Sequence, residues 1–194
     1  MIILEGPDNS GKTTLAQMIC AQTGYEYRRA PSLSSTEGVD DAVFQWWDQQ
    51  LSLPTEDTLT VVYDRCTYIS DPIYRLVSSK PPLRTEQQMM NGIQQMLNQE
   101  VHLIFCLPPW SWSARHCEEE HKAGLGLSYA NIDQLRVIHW AYHCTYMLYS
   151  EAQYERVTSY DPSTQTFANL YEHFFKSVQN HHAKMKGAFR GANR

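Results

Sequence analysis

A glycine-rich segment near the start of this 194-residue chain constrains its fold more than any other feature. Residues 6–13 read Gly-Pro-Asp-Asn-Ser-Gly-Lys-Thr and match the phosphate-loop pattern G-x-x-x-x-G-K-[ST]. The apolar run Ile2-Ile3-Leu4 precedes the segment, and Leu15, Met18 and Ile19 after it fall on one helical face. A strand, a loop and a helix in this order predict an α/β fold in which loop N–H groups and the helix N-terminus bind phosphate.

The residue types within the loop predict which groups contact a nucleotide. Lys12 would reach the β- and γ-phosphates of ATP, and the Thr13 hydroxyl would bind Mg²⁺. Phosphate oxygens would repel Asp8, so we expect this acid to face an uncharged group such as a sugar hydroxyl. The alternative is that Asp8 only stabilises the turn or the start of the helix. The predicted ATP contacts are Gly6, Asn9, Ser10, Gly11, Lys12, Thr13 and Thr14.

Length and composition favour a single domain over residues 1–194. The net charge of −5 argues against a partner that is a nucleic-acid polymer, which would require a broad basic surface. No apolar run approaches the roughly 18 residues that span a bilayer, so no membrane partner is expected. Met1 leads into the first strand without a signal-like segment, and we therefore expect a cytoplasmic protein.

Strand-like and helix-like patterns alternate along the rest of the chain. This alternation predicts a mainly parallel sheet of about five strands with helices on both faces. Capping-box spacing, Ser34 with Glu37 and Thr85 with Gln88, marks two helix starts. The polar segment at about 110–127 has the character of a lid, and a frayed tail is expected at about 183–194. Further strands are expected over 25–29, 59–63, 101–107 and 156–160.

Two charged residues follow the strand predicted at 59–63. Asp64 ends this run, where a carboxylate beside the phosphate loop would hold Mg²⁺ together with Thr13. The alternative for Asp64 is a surface acid at a strand end. Arg65 is suited to bind a second phosphate group opposite the γ-phosphate, because a guanidinium matches phosphate geometry.

These residues resemble the thymidylate kinases, above all their small phage-type members, among the nucleoside monophosphate kinases. Asp8 matches an acid in the family's phosphate loop. Asp64-Arg65 resembles the family's Asp-Arg-Tyr motif, and Ser70 to Tyr74 resembles its Ser-x-x-x-Tyr stretch. The resemblance implies a three-layer P-loop nucleoside monophosphate kinase fold with a lid, ATP as donor, Mg²⁺ as cofactor and a deoxynucleoside monophosphate such as dTMP as acceptor. It further implies a homodimer and, for a phage-encoded member, the host cytoplasm.

The resemblance also implies roles for single residues. Asp8 would contact the acceptor's 3′-hydroxyl, Arg65 its phosphate, and Arg115 would be the lid arginine. An arginine after the second strand would also bind the acceptor phosphate, and Arg28 and Arg29 are equal candidates. The implied catalytic residues are Lys12, Asp64, Arg65 and Arg115. The aromatic candidates to line the base pocket are Trp46, Trp47, Tyr68 and Tyr74, although core packing is favoured over stacking on a base for each of them.

The chain departs from the family pattern at three positions. Cys66 replaces the aromatic residue after Asp-Arg, and Ser70 lies one position later than in the family, so the preferred base stays open. Asn9 stands where some members have an arginine, so the lid would supply the positive charge through Arg115 and Lys122.

Two other functions fit parts of the same pattern. A deoxynucleoside kinase would place its Glu-Arg-Ser motif on Asp64-Arg65-Cys66, and Asp64 would then act as the base for a 5′-hydroxyl. A P-loop regulatory ATPase would require switch loops and a residue that positions the hydrolytic water. The acid at position 8 and the supply of arginines favour the monophosphate kinase.

Overall fold

The fold is built on a parallel five-stranded sheet in the order β2-β3-β1-β4-β5. The computed structural model describes residues 1–30, 41–78, 81–122, 132–153 and 156–192. The strands are β1 (Ile2–Glu5), β2 (Glu26–Arg29), β3 (Val61–Asp64), β4 (His102–Cys106) and β5 (Val157–Tyr160). The sheet confirms the α/β class and the parallel arrangement that the sequence predicts.

Helices connect the strands. They are α1 (Lys12–Thr23), α2 (Asp41–Ser52), α3 (Thr55–Thr58), α4 (Thr67–Arg75), α5 (Glu86–Asn98), α6 (Trp110–Lys122), α7 (Ile132–Gln153), α8 (Phe167–Leu170) and α9 (Lys176–Ala192), with a π-helical turn at Tyr171–Phe175 between the last two. Thr85 and Gln88 form the predicted capping box, each side chain accepting from the other's backbone N–H. The capping box predicted at Ser34 and Glu37 lies outside the described residues.

Two hydrophobic cores lie on opposite faces of the sheet because successive strand side chains alternate in direction. Ile3 of β1 belongs to the core with residues of α2, α4, α5 and α7. Ile2 and Leu4 belong to the core with residues of α1, α8 and α9. Each fully buried large apolar side chain stabilises the fold by about 1.5–3 kcal/mol. Helices therefore cover both faces, as the sequence predicts.

Two segments that the sequence singled out have a helical backbone. Residues 110–122 of the expected lid form helix α6, and residues 123–127 lie outside the described part. Residues 110–122 contain neither Gly nor Pro and include strong helix formers such as Glu, Arg and Lys, which explains their helical backbone. The backbone is also helical through Ala192, where a frayed tail was expected from about residue 183.

None of the described helices combines the length and the apolar character that crossing a bilayer requires.

Candidate active site

The phosphate loop connects the end of β1 to the start of α1 and depends on two glycines. Gly6 has φ +144°, and a Cβ there would lie 2.4 Å from the carbonyl oxygen of Cys106 in β4. Gly11 caps α1 with φ +82°, in the left-handed region. Any other residue at position 6 would push the loop away from the sheet, so the close turn requires glycine.

Lys12 folds back over this loop. Its Nζ donates to the carbonyl oxygens of Gly6 (2.9 Å) and Pro7 (2.5 Å) and to the Ser10 hydroxyl (3.2 Å). Burial lowers the pKa of Lys12 to about 8, and the nearby positive charge of Arg65 acts in the same direction. A phosphate anion at the loop would favour the charged ammonium, so the lysine is placed to respond to a bound nucleotide.

Oxygen ligands for a hard cation meet at the end of β3. The Thr13 hydroxyl donates to Asp64 Oδ2 at 3.1 Å, and the Tyr27 hydroxyl donates to the same oxygen at 2.9 Å. The parallel register sets Asp64 beside Leu4 of β1 and Arg29 of β2. Hydroxyl and carboxylate oxygens are the protein ligands that Mg²⁺ prefers, so Thr13 and Asp64 fit the predicted ion.

Arg65, Asp8 and Tyr74 form a connected group beside the loop. Arg65 has φ +67°, and its backbone N–H donates to the carbonyl oxygen of Leu4 at 2.9 Å. Its guanidinium forms an ion pair with Asp8 and lies 4.9 Å from the centre of the Tyr74 ring. The Tyr74 hydroxyl also donates to Asp8 Oδ1, at 3.3 Å. Asp8 thus faces an arginine and a phenol here, whereas the sequence pointed to a sugar hydroxyl.

The structure distinguishes the two arginines of β2. Adjacent strand residues point to opposite faces. Arg29 lines the cavity above the phosphate loop. Arg28 instead pairs with Glu26 at 2.7 Å and donates to Gln50 at 3.0 Å. Arg29 is therefore the candidate for an acceptor phosphate, and Arg28 is not.

Tyr68 lies in the core, away from the cavity. Only 3% of it is exposed, and its ring fills the space above Gly92 of α5, where a Cβ would come within 2.1 Å of the ring. Its hydroxyl donates to Asp48. The assignment of Tyr68 to acceptor binding is therefore corrected to core packing, which the sequence also favoured for this side chain.

One cavity of about 590 Å³ joins these groups, a volume typical of small-molecule sites. Of the residues predicted from sequence it brings together Asp8, Asn9, Ser10, Gly11, Lys12, Thr13, Thr14, Arg29, Asp64 and Arg65. The other lining residues are Ala30, Val43, Thr67, Ser70, Trp112 and His116. Predicted residues that do not line it are Gly6, Arg28, Trp46, Trp47, Tyr68, Tyr74 and Arg115.

Helix α6 contributes residues that the sequence interpretation missed. Trp112 and His116 lie one helical turn apart and both line the cavity, whereas Arg115 is exposed and does not. The two rings stack with centroids 4.6 Å apart and an interplanar angle of 29°. The i, i+4 spacing of Trp112 and His116 is the only feature of the sequence that could have identified them. This spacing places the two side chains on one face only if the segment is helical. The Lys122 side chain lies outside the described part.

Glu5 is a second residue that sequence reasoning missed. It ends β1, is fully buried, and accepts a hydrogen bond from the Cys66 backbone N–H at 2.5 Å. Burial raises the pKa of Glu5 to about 7, although this hydrogen bond and the charges of Arg65 and Lys12 act against the rise. The sequence feature that could have identified Glu5 is its place as a single acid between the apolar run Ile2-Ile3-Leu4 and the phosphate loop. Its carboxylate holds the turn that positions Arg65.

Comparison with known proteins identifies the fold. No protein-family model and no curated protein sequence matches this chain. The YorR protein of Bacillus subtilis, crystallised with phosphorylated GDP, is 18% identical with a TM-score of 0.68, over 94% of this chain and 97% of that one. Deoxyadenosine kinase of M. mycoides is 16% identical in its dCTP complex (TM-score 0.55, 93% of this chain and 100% of that one). The dATP complex of the same kinase is 14% identical, with a TM-score of 0.53 over 92% of this chain and 98% of that one. The likeness shows that this chain shares the α/β fold of these proteins.

Proposed function

We propose that this protein transfers the γ-phosphoryl group of ATP to a deoxynucleoside monophosphate resembling dTMP and forms the diphosphate, with Mg²⁺ as cofactor. One observation carries the proposal. A single cavity is lined both by the phosphate loop and by two arginines outside the loop, Arg29 and Arg65. One set of anion-binding groups suits a nucleotide donor, and the second suits an acceptor that carries its own phosphate.

The donor would occupy the loop side of the cavity. Lys12 and the N-terminus of α1 would bind its phosphates, and Thr13 with Asp64 would hold Mg²⁺. The ion would neutralise charge between the phosphate oxygens. The 3.1 Å distance between the Thr13 hydroxyl and Asp64 Oδ2 supports this arrangement, because the two oxygens are close enough to bind the same ion.

The acceptor would occupy the side with Arg29 and Arg65. The phosphate of a monophosphate is largely ionised near neutral pH, so these residues need only bind and orient it, and no strong base is required. Asp8 and Tyr74 hold the Arg65 guanidinium in place. The likeness of Asp8, Asp64-Arg65 and Ser70–Tyr74 to thymidylate kinases supports a dTMP-like acceptor.

A deoxynucleoside kinase is the second candidate, and the likeness in fold to deoxyadenosine kinase supports it. This reaction would require a carboxylate to accept the proton of a 5′-hydroxyl. Asp64 instead accepts a hydrogen bond from Thr13, the loop hydroxyl with which it would share a cation. Two arginines in the cavity would also serve little purpose for an uncharged acceptor. The geometry therefore favours the monophosphate.

We also propose that the protein forms a homodimer through α7. This helix exposes large apolar side chains, among them Trp140 (70%) and Met147 (53%). In an antiparallel pair of α7 helices related by a two-fold axis, Trp140 of one copy would face Met147 of the other. The same register sets Arg136 opposite Glu151, and both residues are exposed. Apolar and charged positions are therefore complementary in one alignment.

The test is a phosphorylation assay with ATP and Mg²⁺ across the deoxynucleoside monophosphates, the matching nucleosides and water alone. We expect diphosphate from one or two monophosphates. We expect Arg65→Gln to reduce kcat/KM for the acceptor by about 100-fold or more, since it removes a charge-assisted contact. Arg28→Gln, a matched control outside the cavity, should stay within about 3-fold. Products from nucleosides only, or phosphate release without an acceptor, would reject the proposal.

A further inference from the structure

We infer that His116, among the described side chains of α6, brings positive charge to the phosphoryl group that is transferred. This inference rests on the proposed function and assigns to His116 the role that the family resemblance implied for Arg115. His116 lines the cavity together with Lys12 and Arg65. Arg115 is exposed and is absent from the lining.

The hydrogen bonding of His116 engages one ring nitrogen and leaves the other available to a ligand. Its Nδ1 lies 3.0 Å from the carbonyl oxygen of Trp112. A carbonyl oxygen only accepts, so Nδ1 must carry a proton and donate it. The Nε2 atom is then an acceptor in the neutral ring and a donor in the imidazolium. A phosphate oxygen also only accepts, so contact with phosphate requires the charged form.

The indole of Trp112 supports this charged form. Its ring stacks on the imidazole with centroids 4.6 Å apart and an interplanar angle of 29°. A cation over an aromatic face is attracted by the ring quadrupole. The stack and the Nδ1 hydrogen bond fix two sides of the His116 ring, so the imidazole is already oriented before a ligand binds.

The charge balance of the cavity changes when substrates enter. Its lining carries three cations, Lys12, Arg29 and Arg65, against the carboxylates of Asp8 and Asp64. A triphosphate with Mg²⁺ and a monophosphate together add more negative charge than this small excess neutralises. Protonation of His116 would offset part of it. The other titratable or charged residues on α6 and on α7, which packs against it, include Arg115, Glu118, Glu119, Arg136, His139 and His143.

The experiment follows the pKa of His116 by NMR in protein labelled with ¹³C at histidine Cε1. The His116→Gln variant identifies the signal, and the exposed His173 serves as an internal reference. We expect the pKa of His116 to rise by at least about 1 when the Mg²⁺ complex of adenosine 5′-(β,γ-imido)triphosphate binds, since a nearby opposite charge favours the protonated ring. The pKa of His173 should not change. An unchanged or lower His116 pKa in the bound protein would overturn the inference.

Calorimetry with the same nucleotide analogue separates this inference from the proposed function. Binding without a change in the His116 pKa rejects only the role of His116. Failure to bind at all rejects the proposed function, and the inference falls with it.

Turnover provides a second readout. His116→Gln should lower kcat by about 100-fold with little change in the KM for ATP, as expected for a contact that strengthens in the transition state. Arg115→Gln should stay within about 3-fold of the wild type, because its exposed charge is screened. A large kcat loss in Arg115→Gln together with near-normal turnover in His116→Gln would overturn the inference.

Discussion

Replacement of Glu5 by Gln removes a carboxyl group that the folded protein buries completely. Burial raises the pKa of Glu5 from 4.5 to about 7. A carboxyl group with a raised pKa stabilises the fold below its unfolded pKa and loses this contribution as the pH rises through the folded pKa. A difference of 2.5 pKa units is about 3 kcal/mol. The wild type should therefore lose about 2–3 kcal/mol of stability between pH 5 and pH 8 from this group alone.

Glu5→Gln should lack this loss, because the amide keeps an oxygen that accepts from Cys66 N–H and does not ionise. As the pH is raised from 5 to 8, we expect the free energy of unfolding of the variant to increase by about 2–3 kcal/mol relative to that of the wild type. Urea unfolding at both values, followed by circular dichroism, measures the free energy of unfolding. The control is Glu86→Gln, an exposed position on α5. A stability difference between Glu5→Gln and wild type that is constant with pH would refute the reasoning.

Other parts of the structure lead to three further expectations. Arg29→Gln should raise the KM for the acceptor by about 10- to 100-fold in steady-state kinetics, and Arg28→Gln, outside the cavity, by less than about 3-fold. Burial lowers the pKa of His102 from 6.5 to about 3, so the fold loses stability as the pH falls below 6.5. This loss is about 2 kcal/mol at pH 5, and in urea unfolding it should be absent from His102→Leu and present in His173→Leu. Trp140→Glu should convert a dimer to a monomer in sedimentation experiments, while Glu172→Gln, on the π-helical turn, should not; a wild-type monomer would contradict the dimer.

The strands and the phosphate loop could be predicted because local sequence determines them. The run at 59–63 is apolar and rich in β-branched residues, and β3 lies over Val61–Asp64. The loop pattern predicted the turn, and the φ values of Gly6 and Gly11 show why glycine occurs at both positions.

The remaining site residues depend on tertiary structure. The choice between Arg28 and Arg29 requires the direction of β2 relative to the cavity, which a four-residue strand does not reveal. Tyr68 lies in the core because Gly92, distant in sequence, leaves room for its ring. Burial of Glu5 runs against the usual exposure of acids. His116 and Trp112 could be identified only after 110–122 was seen to be helical.

The most direct test of the central claim follows the γ-phosphate itself. The protein is incubated with [γ-³²P]ATP, Mg²⁺ and dTMP, and the products are separated by chromatography, with Lys12→Ala as the inactive control. We expect the label in dTDP, at its β-phosphate, and no label transfer by Lys12→Ala. Two results would contradict a monophosphate kinase. One is label in inorganic phosphate alone. The other is label in dTMP when thymidine is supplied, with no labelled diphosphate from any deoxynucleoside monophosphate.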